Sequence, residues 1–533
     1  MKSCGPHASV DHVPSERNSA PLQMITGRIV HLAMVSLLAL VALMLAFIFF
    51  GNQVGAQGGD GQTATEPTST ASAFPKAPAA GSTDFYPHCR FGVGERYRPV
   101  MSYSVSSLNP GWYVDWKTQT SPPRPGGAEY VQMLHVRGST YSPSGPTLAA
   151  RIAANPGSLW LIGNEPDCIY QDNVLPQDYA QAYHDAYAFI KANDPTARVS
   201  AGGIVQPTPL RMQYLDIVLD TYGSLYGEPL PTDAWNMHTY ILREASCAVY
   251  PDSCWGAEIP PGIGAESGML YTLDDTDDLD IFQQRIAQFR QWMRDRGYRD
   301  TPLLITEYGT LLPYYDPDSL YYDSEGNPFD EERARDFMYG TFDFLLTASD
   351  PDLGYPADEN RLVQRWLWYS LDDTIEYGGA LFDLVTQDMM QLGVDFGTYT
   401  GAISPTVDLF ALDVGQMSPI PYSLVGPVTV TLQARISNVG NVALTRPVSV
   451  RFLDNEGLQI GSDQVISGTM AGCAEIGEIT ITWPNVTPGA HVVRAVVDPE
   501  DQVGEGSEDN NEVYGVVLVA RGRVYLPLST RQW

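Results

Sequence analysis

Two glutamates stand where chemistry could be done. Glu165 closes the apolar run Trp160-Leu-Ile-Gly163 within Asn164-Glu165-Pro166-Asp167, and Glu307 closes Leu303-Leu-Ile305-Thr306. An apolar run that stops abruptly on polar residues reads as a buried strand whose carboxyl end faces a cleft. Taken alone, the first stretch is explained as well by Asn164 or Asp167 capping a helix, with Glu165 exposed in a loop. The second stretch of the same design turns it into one half of a pair. Two carboxyl groups flanking one cleft support glycosidic bond cleavage. One, kept protonated, gives its proton to the leaving oxygen, and the other, ionised, attacks the anomeric carbon. A separation of about 5 to 5.5 Å retains the anomeric configuration and one of roughly 6.5 Å or more inverts it. Spacing along the chain leaves both outcomes open.

The elements that must position these groups recur along the chain. Short β-like runs at 90–94, 111–116, 129–136, 159–163, 198–202, 234–240, 303–306 and 363–370 alternate with amphipathic stretches. Eight runs in βα alternation predict one (β/α)8 barrel over 83–403, an α/β fold whose active sites lie at the carboxyl-terminal rim. Tyr179, Tyr183, Tyr187 and Ile190, like Ile281, Phe282, Ile286, Phe289, Trp292 and Met293, recur at helical spacing and read as packing residues. A doubly wound sheet is the rival, but no Gly-rich phosphate turn follows the first run. Alternation along the sixth run puts His238 and Tyr240 on one face.

At these residues the chain resembles a known group. Asn164-Glu165-Pro166 and Thr306-Glu307 are similar to the acid/base and nucleophile motifs of glycoside hydrolase clan A, the retaining (β/α)8 glycosidases. Trp112-Tyr-Val-Asp-Trp116, Tyr130-Val-Gln-Met-Leu134 and His238-Thr-Tyr240 resemble the Asl1-like glycosyl hydrolase catalytic core, which contains the β-1,3-glucanases of family 128. The resemblance implies Glu165 as acid/base and Glu307 as nucleophile. It implies Asn164 on a sugar hydroxyl, Tyr240 as a donor to Glu307, and His238 on the substrate or the carboxylates. For His238 a structural role reads equally well. Trp368 resembles the clan's sugar platform, with Trp366 or plain packing as alternatives, and Trp116 is a further substrate-lining candidate. The chain departs from the group at Asp115 (usually Asn), Gln132 (usually Pro) and His135 (usually Trp), which bears on substrate identity.

The remainder of the chain narrows the setting. A net charge of −32 argues against nucleic acid and anionic membrane surfaces and leaves a neutral polysaccharide as the expected partner. Aromatics at 11% suit sugar stacking. Residues 29–50 are apolar and follow the basic Arg28, so they read as a transmembrane anchor after a cytoplasmic segment 1–28, or as a signal-peptide core. Either places the rest outside the cytoplasm, beyond a disordered linker at 57–82. Six cysteines are few for 533 residues; Cys247 and Cys254 could close a small ring, and no pair shows metal-ligand spacing. Neither a metal nor a cofactor is expected. The Asp-rich run 274–280 reads as a solvated helix start, or less readily as a calcium site.

After residue 404 the pattern becomes alternating short strands, predicting an all-β sandwich over 404–520 followed by a tail at 521–533. Asn438-Val-Gly440, Trp483, Pro488-Gly489, Asp498-Pro499 and Glu505-Gly-Ser-Glu508-Asp-Asn510-Asn511 resemble the CARDB-type immunoglobulin-like domain. The resemblance implies contact with a cell surface or wall. The leading expectation is an extracytoplasmic, retaining, endo-acting glycoside hydrolase on a β-linked polysaccharide, with β-1,3-glucan first and xylan or mannan as other clan specificities. The alternative is a non-catalytic carbohydrate-binding or adhesion protein.

Overall fold

The computed structural model describes residues 86–311, 321–374, 378–417 and 426–520. The segments expected at 1–28, 29–50, 57–82 and 521–533 lie outside them, as does most of the Tyr- and Asp-rich stretch that follows Glu307. Among the described residues no helix is long and apolar enough to cross a membrane.

Ten strands build the first sheet: β1 (His88–Gly94), β2 (Pro110–Val114), β3 (Glu129–Tyr130), β4 (Gln132–Arg137), β5 (Thr140–Ser142), β6 (Leu159–Asn164), β7 (Arg198–Ile204), β8 (Ala234–His238), β9 (Leu303–Tyr308) and β10 (Arg365–Trp368). Their order is β3-β2-β1-β10-β9-β8-β7-β6-β4-β5, parallel except for the β4–β5 hairpin. Only Val131 separates β3 from β4. It donates to the Tyr113 carbonyl, so one segment pairs with β2 on one side and with β6 on the other, and the sheet curls round on itself.

Helices Gly145–Ala154, Pro176–Asn193, Pro209–Tyr226, Leu279–Asp295, Glu331–Thr347 and Gln391–Gly401 cover the outside. Alternation splits the apolar side chains between two layers. Trp160, Ile162, Ile305, Trp366 and Trp368 join the helices, whereas Trp112, Leu161, Leu304, Leu367 and Tyr369 fill the inside of the curl. Each expected strand has a counterpart within a few residues, but the second ends at Val114 and the sixth at His238. Trp116 and Tyr240 therefore belong to loops. The acidic run is structural: Asp278 caps the helix Leu279–Asp295 by accepting from Ile281 N–H, and Asp277 pairs with Arg333.

The C-terminal part is all β, with β11 (Leu409–Gln416), β12 (Val428–Asn438), β13 (Val448–Asp454), β14 (Gln464–Ile466), β15 (Glu475–Val486), β16 (Gly489–Val497) and β17 (Glu512–Val519). They form antiparallel sheets β11-β12-β15 and β14-β13-β16-β17. Between the sheets lie Leu432, Ile436, Phe452, Val493 and Val517. This part joins the amino-terminal ends of the curled strands. The Cys89–Cys473 disulfide spans the junction, and Arg90 makes a bidentate pair with Asp358 at 2.8 Å while donating to the Val439 carbonyl. The Cys247–Cys254 ring is present as well.

Candidate active site

The opposite, carboxyl-terminal ends of the strands carry the polar residues that the apolar runs close on. On β6, Gly163 has φ 88° and Glu165 has φ 44°, left-handed values that turn the chain sharply where the strand ends. A glutamate in that region carries about 1 kcal/mol or more of backbone strain. Two bonds hold it there: Glu165 N–H donates to Gly203 O at 2.9 Å, and Cys168 N–H donates to Glu165 O at 3.0 Å. Gly203 faces Asn164 across the ladder, and a Cβ there would meet Asn236 Oδ1 at 2.5 Å and the His238 ring at 2.8 Å. Only glycine admits both neighbours.

On β9 the register slips on both sides near Glu307, which stands opposite His238, while Tyr308 takes up pairing with Trp368. Such an irregularity re-aims side chains. Glu307 turns inward and Tyr308 joins the helix layer.

The two carboxylates meet around His238. Its Nδ1 lies 2.8 Å from Glu165 Oε1 and its Nε2 lies 3.6 Å from Glu307 Oε1. One carboxylate oxygen from each glutamate and a nitrogen of His238 lie within 4.8 Å of one another. Such a set could also hold a divalent transition ion, although the His238–Glu165 contact already uses one ligand pair. Trp116 Nε1 donates to Glu307 Oε1 at 2.5 Å, and Tyr240 OH donates to Glu307 Oε2 at 3.4 Å. Among the described residues Glu165 Oε2 has no hydrogen-bond partner, nor does either amide atom of Asn164, although all three are buried. Buried polar atoms are rarely left unpaired, and a sugar hydroxyl or glycosidic oxygen would satisfy them.

Burial sets the proton affinities. It pushes the Glu165 carboxyl well above the usual carboxylate range, with Asp167 adding to the effect and Arg211 opposing it. Burial also raises Glu307, to about 7, with Glu165 adding to the rise, while His238 and then the Trp116 and Tyr240 donors hold it down. For His238 burial lowers the imidazole below its ordinary value, favouring the neutral ring. Beneath Glu165 lies a fully buried triad in which Arg211 pairs with Asp167 at 2.6 Å and Glu244 at 2.8 Å.

The structure thus brings together Glu165, Glu307, Asn164, His238, Tyr240 and Trp116. It does not bring Trp368 to them. That ring is fully buried in the helix layer against Tyr308 and Phe342, and its Nε1 donates to Gly379 O. The inward residue of that strand end is Tyr369, whose ring lies 5.7 Å from Trp116 and whose hydroxyl donates to Asp373 at 2.6 Å. Asp115 and Gln132 both bind Gln119, and so fix the loop that carries Trp116.

Residues 95–246 match the family model described as glycosyl hydrolase catalytic core, and residues 407–515 match CARDB. Among solved structures, a family 128 (subgroup I) endo-β-1,3-glucanase from Amycolatopsis mediterranei, in complex with laminaritriose, is 17% identical. The match covers 59% of this chain and 100% of that one at a TM-score of 0.37. A family 128 (subgroup III) curdlan-specific exo-β-1,3-glucanase from Blastomyces gilchristii is 16% identical over 58% of this chain and 99% of its own, with a TM-score of 0.35. The CARDB domain of a Pyrococcus furiosus protein, in complex with di-metal ions, is 21% identical over 22% and 97%, with a TM-score of 0.18. A search of curated proteins found no match.

Proposed function

We propose that this chain is a retaining glycoside hydrolase of β-linked polysaccharides, with the curled sheet read as a closed (β/α)8 barrel over 83–403 and the sandwich over 404–520 as an accessory domain. The observation that carries this is that one carboxylate oxygen of Glu165 and one of Glu307 lie within 4.8 Å of each other around His238, an approach compatible with the separation of about 5 to 5.5 Å between the carboxyl groups of a retaining pair. The match at 95–246 supports the reaction class, and the motif resemblance makes β-1,3-glucan the first substrate to try.

Glu307, ionised and held by Trp116 and Tyr240, attacks the anomeric carbon. Glu165, held protonated by burial, passes its proton to the leaving oxygen from Oε2, which has no partner among the described residues. His238 keeps Oε1 engaged. Glu165, now ionised, then takes a proton from water, whose oxygen hydrolyses the glycosyl ester on Glu307 and frees that carboxylate. Asn164 binds the hydroxyl beside the reacting carbon. The disulfides Cys89–Cys473 and Cys247–Cys254 among the described residues support an oxidising, extracytoplasmic setting.

The test is incubation of the protein with β-1,3-glucan, other β-glucans, xylan and mannan, following the first anomer released by NMR. Retention with loss of turnover in Glu165→Gln and Glu307→Gln is expected. Inversion, or wild-type rates in either variant, would overturn the roles. Binding without turnover across the panel would favour an adhesion protein, a reading that draws on the CARDB match.

A further inference from the structure

His135 stands on β4 at the edge of the site, with 41% of its side chain exposed, and both of its ring nitrogens are engaged. Nδ1 lies 2.8 Å from Asp172 Oδ1, and Nε2 lies 3.0 Å from the Trp116 carbonyl oxygen. Neither partner has a proton to give. A carboxylate and a peptide carbonyl only accept, so both contacts are hydrogen bonds only when both ring nitrogens carry hydrogen. The geometry is that of an imidazolium.

What the ring joins is informative. Asp172 Oδ2 accepts from the backbone N–H of Asn164 at 2.8 Å and of Val136 at 3.0 Å, so Asp172 grips the chain one residue before Glu165. Trp116 is the residue whose indole donates to Glu307, and its backbone sits in the left-handed region at φ 56°. His135 is therefore the side chain that ties the backbone of the Glu307 donor to the segment that presents Glu165.

We infer that His135 is a positioning residue that acts in its doubly protonated form, locking the Trp116 carbonyl to Asp172 so that the Trp116 indole stays on Glu307. This rests on the reading of Glu307 as nucleophile. When the ring loses a proton, the Asp172 carboxylate keeps the remaining hydrogen on Nδ1, and the Nε2 lone pair then faces the Trp116 oxygen. Two acceptors at that distance repel, Trp116 shifts, and Glu307 loses its short donor.

The charged surroundings favour the lock. Asp172 raises the ring's proton affinity against burial, and Arg137 on the same strand opposes it. β5, which pairs with His135 through Ser142, carries no charged side chain. On the β2 side Asp115 and Lys117 flank Trp116, and Asp115 is bound by Tyr130 and Gln119. The helix Pro176–Asn193 behind β4 carries Asp178, His184, Asp185 and Lys191, of which His184 pairs with Asp185 and Lys191 with Asp233.

The test is histidine and tryptophan 15N labelling of the full chain, with imidazole and indole NMR from about pH 5 to pH 9. In the wild type, one histidine is expected to show both ring nitrogens protonated at neutral pH, and the Trp116 indole resonance to move with the same midpoint. Both signatures should vanish in His135→Gln. Asp172→Asn, which keeps the shape and removes the charge, should lower the midpoint. Should the chain cleave a glycan, His135→Gln is expected to lose roughly 10- to 100-fold in kcat with little change in KM. His135→Arg, charged at every pH, should recover part of that loss and abolish the midpoint. A singly protonated His135 at neutral pH, or an indole signal indifferent to both substitutions, overturns the inference. The NMR arm needs no substrate, so failure of the hydrolase reading and failure of the lock are separate results.

Discussion

Removing the indole donor in Trp116→Phe should move the acid limb of the pH–rate profile. The hydrogen bond from Trp116 Nε1 to Glu307 Oε1 is buried and ends on a carboxylate; bonds of this kind contribute about 1.5 to 3 kcal/mol. At 1.36 kcal/mol per pKa unit, its loss would lift Glu307 from about 7 to roughly 8 or 9. In the proposed mechanism the attacking form is the ionised one. With Glu307 near 7, about half is ionised at pH 7; with a value of roughly 8.5, about 3% is, a loss of roughly 16-fold in the competent population. At higher pH the deficit shrinks, because Glu307 ionises in the variant too, until deprotonation of Glu165 closes the profile from the alkaline side. The assay is kcat/KM against pH for wild type and Trp116→Phe on the best glucan. An acid limb that stays in place while the rate falls uniformly would refute the electrostatic role and leave Trp116 as a packing residue.

Other perturbations separate activity from stability. Asn164→Ala should lose roughly 10- to 100-fold in kcat, because a substrate hydroxyl loses its partner. It should melt no lower than the wild type in a thermal scan, since neither amide atom has a hydrogen-bond partner among the described residues. Glu307→Gln should stabilise the fold in alkaline but not acid solution. A carboxyl raised in the folded state contributes stability below its ordinary value near 4.5 that is lost as pH rises through about 7, at about 1.4 kcal/mol per pH unit. Urea titrations at pH 4 and pH 8 would read the difference. Arg211→Met should cost about 3 to 5 kcal/mol in urea unfolding, by leaving Asp167 and Glu244 buried without their cation.

Much of this site was visible in the chain because a strand buried on both faces ends visibly where polar residues begin. Asn164-Glu165-Pro166 and Thr306-Glu307 announce themselves in that way, and the His238/Tyr240 pairing follows from strand parity continued one step past the strand. Parity fails where both faces are apolar. Arg365-Trp-Leu-Trp368 followed by Tyr369 gives no sign of which face is inner, so Trp368 reads as a sugar platform although it packs against helices and Tyr369 points inward. Trp116 is visible as an aromatic residue, but its bond to Glu307 depends on a left-handed turn that no periodicity encodes. Long-range pairings are invisible for a simpler reason. Nothing in the sequence links Cys89 to Cys473, 384 residues away, or joins Arg211 to Asp167 and Glu244, because such pairings are created by the topology. The short strands β5 and β14 have three residues each, too few to show a period.

The double-displacement reading is tested most directly by trapping. A 2-fluoro β-glucoside with a good leaving group slows breakdown of the glycosyl-enzyme more than its formation, so the ester accumulates. Intact-mass analysis followed by peptide mapping should show one fluoroglycosyl adduct, on Glu307, that is absent in Glu307→Gln. An adduct on Glu165, or turnover of the natural glycan through an inverted product with no adduct at all, would contradict it.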